Sequence, residues 1–272
     1  MKPGEADWAS LLTEASAKVQ SVFETATRDD GLTRVLGVGA SGDKTLLADK
    51  MAEDELLQAL EKVEGLRVLS EEAGEVGYRK SKTVAVLDPV DGSANFERGI
   101  PFYCTSAAIV EGHTLRGVNF AMVRDLVSGD LYLAQKGKGA TKNGKALRTS
   151  KTARLSESVV GIDMSRGDKA LVNRLGPLVS AAKRQVHYGA NALELCLVAD
   201  GRIEAFVDLR GKMRITDFAA AYLIASEAGA KVTDQEGGDL DPAISLGDRF
   251  SFVAAAHDGL HREIMKLLHA DR

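Results

Sequence analysis

Cysteine is nearly absent. Only Cys104 and Cys196 occur in 272 residues, each within an apolar stretch and far apart in the chain. They read as two buried, reduced thiols of a cytosolic protein rather than a disulfide or a thiolate metal site. Histidine is also scarce, at five residues, and no His/Cys cluster offers the spacing of a zinc site. The 35 Lys and Arg stand against 39 Asp and Glu, for a net charge of −4. With the cations scattered and no basic patch, nucleic acid is not an expected partner. No apolar run approaches ~18 residues, which excludes a membrane-spanning helix. The opening Met1-Lys2-Pro3-Gly4-Glu5 lacks the apolar core of a secretory signal, and the expected compartment is the cytoplasm. Internal repeats, low-complexity tracts and flexible linkers are missing too.

What remains is an ordinary globular composition, 44% apolar and 27% charged, in a chain long enough for one large domain or two smaller ones. Trp8, Leu11, Leu12, Ala15, Val19, Val22, Phe23 and Ala26 recur at helical spacing and predict a long amphipathic helix over 6–27. The run Gly37-Val38-Gly39-Ala40-Ser41-Gly42-Asp43 is too rich in glycine for regular structure and reads as a mobile loop. Asp49 caps a second helix. Strands are expected at Leu66–Leu69, 102–110, 115–123 and 130–134, with a hairpin turn at Asn143-Gly144. After Ser150 the texture changes. Helices near 168–182 and 191–199, a strand over Ile203–Asp208, a loop over 209–212, an apolar helix opened by Asp217, a strand over 250–256 and a helix over 258–269 suggest an α/β second half. The expected division is 1–150 and 151–272.

The chain is organised around Val84-Ala85-Val86-Leu87-Asp88-Pro89-Val90-Asp91-Gly92-Ser93-Ala94-Asn95-Phe96. A short apolar strand, Thr83 to Leu87, is expected to stop at Asp88-Pro89, because proline donates nothing to a ladder and holds the preceding residue extended. Two carboxylates then stand three residues apart, ahead of a glycine-led helix start whose free N–H groups suit an anion. Acids beside an anion cradle repel a phosphate unless cations sit between them. Glu71 and Glu72 follow another strand, so both acidic groups reach one sheet edge if the strands are neighbours. Hard oxygen ligands of this kind suit Mg²⁺ or Mn²⁺. Each residue also has a plainer reading. Asp-Pro and Asp-Gly are ordinary turn dipeptides. Glu71-Glu72 and Asp43 could be solvated loop acids, Asp49, Asn191 and Asp217 helix caps, and Arg210 and Lys212 loop cations.

The segment 88–96 resembles the D-P-aliphatic-D-G-(T or S)-x-N-aromatic signature of the inositol monophosphatase superfamily. Four further stretches, in order, are similar to that family's other elements: Asp43 to Asp49, with Thr45 between the two acids, Ser70-Glu71-Glu72, Gly137 to Gly144 (G-x-G-A-x-x-N-G), and Thr216-Asp217-Phe218-Ala219-Ala220-Ala221 with Glu227-Ala228-Gly229. Ser70-Glu71-Glu72, Gly189 to Cys196 and Asp208 to Lys212 lean toward the archaeal branch, whose members act on inositol 1-phosphate and fructose 1,6-bisphosphate. The resemblance implies an α+β or α/β fold, a layered αβαβα sandwich, and Mg²⁺-dependent hydrolysis of a sugar or cyclitol phosphate by a metal-activated water. It implies that Glu71, Asp88, the Val90 carbonyl, Asp91 and Asp217 hold two or three Mg²⁺ ions, Mn²⁺ being a possible substitute. It implies that Gly92, Ser93 and Ala94 hold the phosphate, that Asp43, Glu71 and the Ser93 hydroxyl serve the attacking water, and that Asn191 and Arg210 line the sugar pocket. A homodimer is implied as well. Serine at 93, where threonine is commoner, keeps the hydroxyl; Thr216, where tryptophan is usual, bears on substrate packing. Two rivals stand beside this reading: a phosphatase of 3′-phosphoadenosine nucleotides, and a same-fold protein with an interaction role.

Overall fold

A computed structural model describes residues 1–25, 31–40 and 42–270. In chain order the elements are α1 (Trp8–Thr25), β1 (Val35–Val38), β2 (Lys44–Leu46), α2 (Leu47–Leu60), β3 (Arg67–Ser70), β4 (Gly74–Gly77), β5 (Thr83–Asp91), α3 (Ser93–Arg98), β6 (Cys104–Glu111), β7 (Val118–Asp125), β8 (Leu131–Gln135), β9 (Ala140–Lys142) and β10 (Lys145–Ala146). Then follow β11 (Val159–Asp163), α4 (Lys169–Ala181), β12 (Arg184–Val186), α5 (Asn191–Ala199), β13 (Ala205–Met213), α6 (Ile215–Ala228), β14 (Lys231–Asp234), β15 (Phe250–Ala255) and α7 (Asp258–Leu268).

The strands form a small hairpin of β1 and β2, an eight-stranded sheet in the order β10-β9-β8-β7-β6-β5-β3-β4, and a five-stranded sheet in the order β12-β11-β13-β15-β14. Side-chain alternation along β5 explains how these stack. Ala85 and Leu87 point to one face and pack with Leu12, Ala15 and Val19 of α1 and Ala52 and Leu56 of α2. Val84 and Val86 point to the other, against Leu193 and Cys196 of α5 and Phe218 and Ala221 of α6. That middle helical layer also meets Phe206 and Phe252 of the second sheet. The sheet's far face carries Val160, Val207 and Val253 against Leu175 and Leu178 of α4 and Leu260 and Ile264 of α7. The order is αβαβα, as the resemblance implies. Both thiols are fully buried and free in the shared middle core.

Several expected boundaries shift. β5 does not stop at Asp88-Pro89 but runs to Asp91. Three residue steps of β5, Asp88 to Asp91, pair against two of β6, Ser106 to Cys104, so one residue is extra. This bulge accommodates Pro89, whose missing N–H costs no ladder bond there. Likewise 209–212 lies inside β13 as an irregularity between Asp208 and Met213. The strand expected at 115–123 begins at Val118, because Leu115–Gly117 is a 3₁₀ turn. Gly37 and Val38 belong to β1 rather than to a loop. α1 begins at Trp8; Ala26 and Ser41 lie outside the described residues.

Candidate active site

β3 and β5 are parallel neighbours, with Ser70 opposite Leu87, so Glu71 and Asp88 emerge side by side at one sheet edge. The bulge then acts on Asp91. A spacing of three along a regular strand would put Asp88 and Asp91 on opposite faces; one inserted residue restores them to the same face. There Asp91 Oδ2 accepts from Ala192 N–H at 2.6 Å, at the N-terminus of α5. Asp217 arrives from the first turn of α6, where its Oδ2 accepts from Arg214 N–H at 2.9 Å. Carboxylate oxygens of Glu71, Asp88 and Asp217 lie within 4.8 Å of one another.

These groups line a cavity of about 540 Å³. Its wall carries seven carboxylates (Asp43, Glu71, Glu72, Asp88, Asp91, Glu97, Asp217) against three cations (Lys44, Arg166, Arg214). The electrostatic consequence is large. Burial first, then Asp217, pushes Glu71 up to about 8. Burial and Asp217 push Asp91 up to about 7. Asp88, fully enclosed and beside Glu71, is driven well above the ordinary carboxylate range, and burial raises Asp217 as well. Like charges this close favour the protonated form unless a cation joins them. One cation is supplied by the chain itself. The Arg214 guanidinium reaches Glu71, Asp43 Oδ2 at 3.0 Å and Asp217 Oδ1 at 3.4 Å.

The donor set suits a divalent ion. It is all oxygen, three carboxylates converge, and Asp88 Oδ1 is buried with no hydrogen-bond partner among the described residues. Beside it, Gly92 (φ +93°) turns the chain into α3. A Cβ there would stand 3.0 Å from Phe102 O and 3.1 Å from Ala190 Cβ, so the turn needs glycine on both counts. The first N–H groups of a helix have no acceptor within it, and Gly92, Ser93 and Ala94 line the cavity at this helix start.

A family model described as the inositol monophosphatase family matches residues 6–271. The chain belongs to the inositol monophosphatase family. It is 34% identical over 272 residues to a fructose-1,6-bisphosphatase/inositol-1-monophosphatase of Methanothermobacter thermautotrophicus, covering 96% of each chain. It is 32% identical over 254 residues to a bifunctional NADP phosphatase/NAD kinase of Methanococcus maripaludis, over 85% of this chain and 44% of that one. A solved inositol monophosphatase-fructose 1,6 bisphosphatase superposes with a TM-score of 0.82 at 29% identity, over 96% of this chain and 100% of the other. As a member of the inositol monophosphatase family the chain is a phosphoric monoester hydrolase.

Two expectations change in this cavity. The Ser93 hydroxyl pairs with Asp49, not Asp43: Ser93 Oγ donates to Asp49 Oδ1 at 2.8 Å and lies equally near Val90 O. Asp49 sits in the first turn of α2 and accepts from Leu46 N–H at 2.7 Å, so it both caps its helix and reaches the cavity wall. Burial pushes it up to about 6. Asp43 is more than half exposed and faces Arg214. Arg210, expected in the sugar pocket, does not line this cavity. Its guanidinium is held by Asp208, Asp163 and Ser165, and it borders a second cavity of about 360 Å³ with Arg166, Arg174 and Lys212. Arg166 lines both cavities. Asn191 does line the acidic cavity, and its Oδ1 is buried with no hydrogen-bond partner among the described residues.

Arg214, Arg166 and Asp49's second role escaped the sequence reading. Asp49 closes the Asp43–Asp49 stretch, so the motif held the signal, but a cap and a base need the same residue type. Arg214 and Arg166 carry no local signal that separates them from solvated cations.

Proposed function

We propose that this chain hydrolyses the phosphate monoester of a sugar or cyclitol, fructose 1,6-bisphosphate and inositol 1-phosphate being the leading substrates. The observation that carries the reading is the convergence of Glu71, Asp88 and Asp217, with an unpartnered Asp88 oxygen, beside the start of α3. In this reading Glu71, Asp88, the Val90 carbonyl, Asp91 and Asp217 hold Mg²⁺, residues 1–150 contributing all but Asp217. When bound, the ions neutralise the carboxylates, draw charge from the phosphoryl oxygens and acidify water.

The protein's own groups divide the remaining work. Gly92, Ser93 and Ala94 present N–H groups to the phosphate. Asp49 and Ser93 form a relay: the attacking water adds to phosphorus opposite the ester oxygen, its proton passes to Ser93 Oγ, and the Ser93 proton passes to Asp49. The P–O ester bond breaks and the departing oxygen is protonated by solvent. A group raised to about 6 is a suitable base near neutral pH. Both cysteines are buried with strongly raised pKa values, so neither is a nucleophile. Asn191 lines the wall on which a substrate hydroxyl would seat, and Arg166 stands between the acidic cavity and the basic one, where a second phosphate of a bisphosphate would lie. Mg²⁺ as the working ion, residence in the cytoplasm and a homodimeric assembly belong to this same reading and rest on the family resemblance.

A second substrate class, a 2′- or 3′-phosphorylated adenine nucleotide, is favoured by one observation. Tyr188 is 40% exposed and packs on Phe102 with ring centroids 4.9 Å apart and planes tilted by 33°, one residue from Gly189 of the cavity wall. Such a platform suits a base. Phosphate release from fructose 1,6-bisphosphate, inositol 1-phosphate, NADP⁺ and 3′-phosphoadenosine 5′-phosphate, with and without Mg²⁺, tests both. Metal-dependent release from the first two is expected. Release only from the nucleotides would replace the substrate and keep the site; release from none, with Mg²⁺ bound, would leave the interaction role.

A further inference from the structure

Beyond the acidic cavity, a chain of alternating charges links α5 to the five-stranded sheet. Glu194 on α5 is fully buried. Its Oε1 accepts from the N–H groups of Tyr188 and Gly189 at 2.9 Å each and lies 3.1 Å from His187 Nδ1. The other imidazole nitrogen, Nε2, lies 3.5 Å from Asp163 Oδ1 on β11. Asp163 in turn meets Arg210, and Arg210 meets Asp208. Glu194 Oε2 is buried with no hydrogen-bond partner among the described residues, so much of its charge is left to His187.

Both imidazole nitrogens face carboxylates. A neutral ring carries one N–H and serves one of them; the imidazolium carries two and serves both. The charged groups facing the ring are Glu194 from α5, Asp163 from β11 and Arg210 from β13. Two acids outweigh the arginine, and the ring's pKa is raised, with the hydrogen bond to Glu194 as the leading cause.

The same segment reaches the active site. Tyr188 O accepts from Asn95 Nδ2 at 2.6 Å, Gly189 lines the acidic cavity, and the helix that follows gives Asp91 its N–H bonds. We infer that His187, as an imidazolium, is a positioning residue: by bridging Glu194 and Asp163 it fixes the 187–190 segment and with it the Gly189–Asn191 wall against which substrate seats. This rests on the proposed phosphatase reading and adds to it a residue that acts on substrate affinity rather than on the chemical step.

The sign follows from the raised pKa. The bridge is complete below it and is lost as pH rises through it, so KM should climb with rising pH. The test is KM and kcat from pH 6 to 9 at saturating Mg²⁺ for wild type, His187→Arg and His187→Gln, with fructose 1,6-bisphosphate. KM of wild type relative to that of His187→Arg should rise several-fold across this range, because arginine keeps its charge; the ratio also cancels the ionisation of the substrate. His187→Gln should show a raised KM at pH 6, an excess over wild type that shrinks as pH rises, with kcat within about twofold of wild type. A constant wild-type to His187→Arg ratio, or a wild-type KM in His187→Gln at pH 6, would overturn the inference. Should either variant fail to fold, Glu194→Gln in an otherwise native chain replaces it: the amide keeps an acceptor for the two N–H groups but removes the charge, and must flatten the KM profile. Binding of inorganic phosphate with Mg²⁺, followed by calorimetry over the same pH range, separates the two proposals. If no ester is hydrolysed but phosphate affinity follows the His187 pattern, the substrate reading fails and the positioning role stands; if wild type turns over and neither measurement differs among the variants, only the positioning role falls.

Discussion

Asp49 shows how one carboxylate serves two scales. In sequence it reads as a helix cap, and it does accept Leu46 N–H. Its bond to Ser93, 44 residues away, exists only once α2 and α3 are packed on the same sheet, so local pattern could not rank it above Asp43. We expect Asp49→Asn to lower kcat by roughly 10²–10⁴-fold, the usual worth of a positioned acid–base group, while the protein stays folded, with no loss of thermal stability, because the amide oxygen still caps α2. Ser93→Thr should keep near-normal turnover and Ser93→Ala should not. Steady-state kinetics with melting curves checks all three, and an Asp43→Asn variant that lost as much activity as Asp49→Asn would reverse the assignment. Asp91 is a parallel case. It is buried at the end of β5, not on a surface turn, and an asparagine oxygen can still accept the Ala192 N–H. Asp91→Asn should therefore abolish turnover in a folded protein and raise the melting temperature of the metal-free form, because one of several crowded acids is gone. Near wild-type turnover would refute the metal-ligand assignment.

At the scale of elements, hydrophobic pattern was legible where burial is one-sided and long. α1, α2 and α7 show this, since each presents one apolar face to a sheet. Legibility failed where the chain departs from regularity to build the site. The bulge of β5 looks, in sequence, like a strand that stops at proline, yet that bulge brings Asp88 and Asp91 onto one face. The short strands β4, β12 and β14 were missed because three or four residues at a sheet edge carry little pattern. Gly92 is the hinge of this geometry. At φ +93°, with a backbone carbonyl 3.0 Å from where a Cβ would sit, alanine is strained twice over. Gly92→Ala should cost about 1–3 kcal/mol of stability, the range for a non-glycine residue held in a left-handed conformation. It should lower activity further, by displacing the start of α3 from the cavity. Urea denaturation and kinetics on the same sample check both, and an unchanged kcat would detach α3 from the phosphate. Arg166, at the seam of the two cavities, carries a different expectation. Arg166→Ala should raise KM for fructose 1,6-bisphosphate several-fold more than for inositol 1-phosphate, and equal effects on both would remove it from a distal-phosphate role.

On the scale of the whole molecule, the motifs spread from residue 43 to residue 229 pointed to the layered fold because they carry the turns and helix starts that the layering brings together. The energetic cost of that assembly was not legible, because it arises from distance alone. Glu71, Asp88, Asp91 and Asp217 come from the end of β3, from β5 and from α6 and meet only in the finished fold. The metal-free protein therefore folds against its own active site. With Glu71 raised to about 8, Asp91 and Glu72 to about 7 and Asp49 to about 6, the folded state binds more protons than the unfolded chain, whose carboxylates titrate near 4. Linkage then gives a negative slope: stability from these groups is complete below about pH 4 and is lost as pH rises through about 6 to 8. A divalent ion should reverse that loss by replacing the missing protons, and the gain should follow mass action with ion concentration. In EDTA the melting temperature should fall between pH 5 and pH 8; with Mg²⁺ the fall should be much smaller, so the Mg²⁺-dependent increment should be largest at pH 8. In Asp91→Asn both the EDTA slope and the Mg²⁺ increment should shrink together, because one deletion removes a repelling charge and a ligand. A pH slope that persisted in that variant while the Mg²⁺ increment vanished would mean that the strain and the metal site are built from different carboxylates.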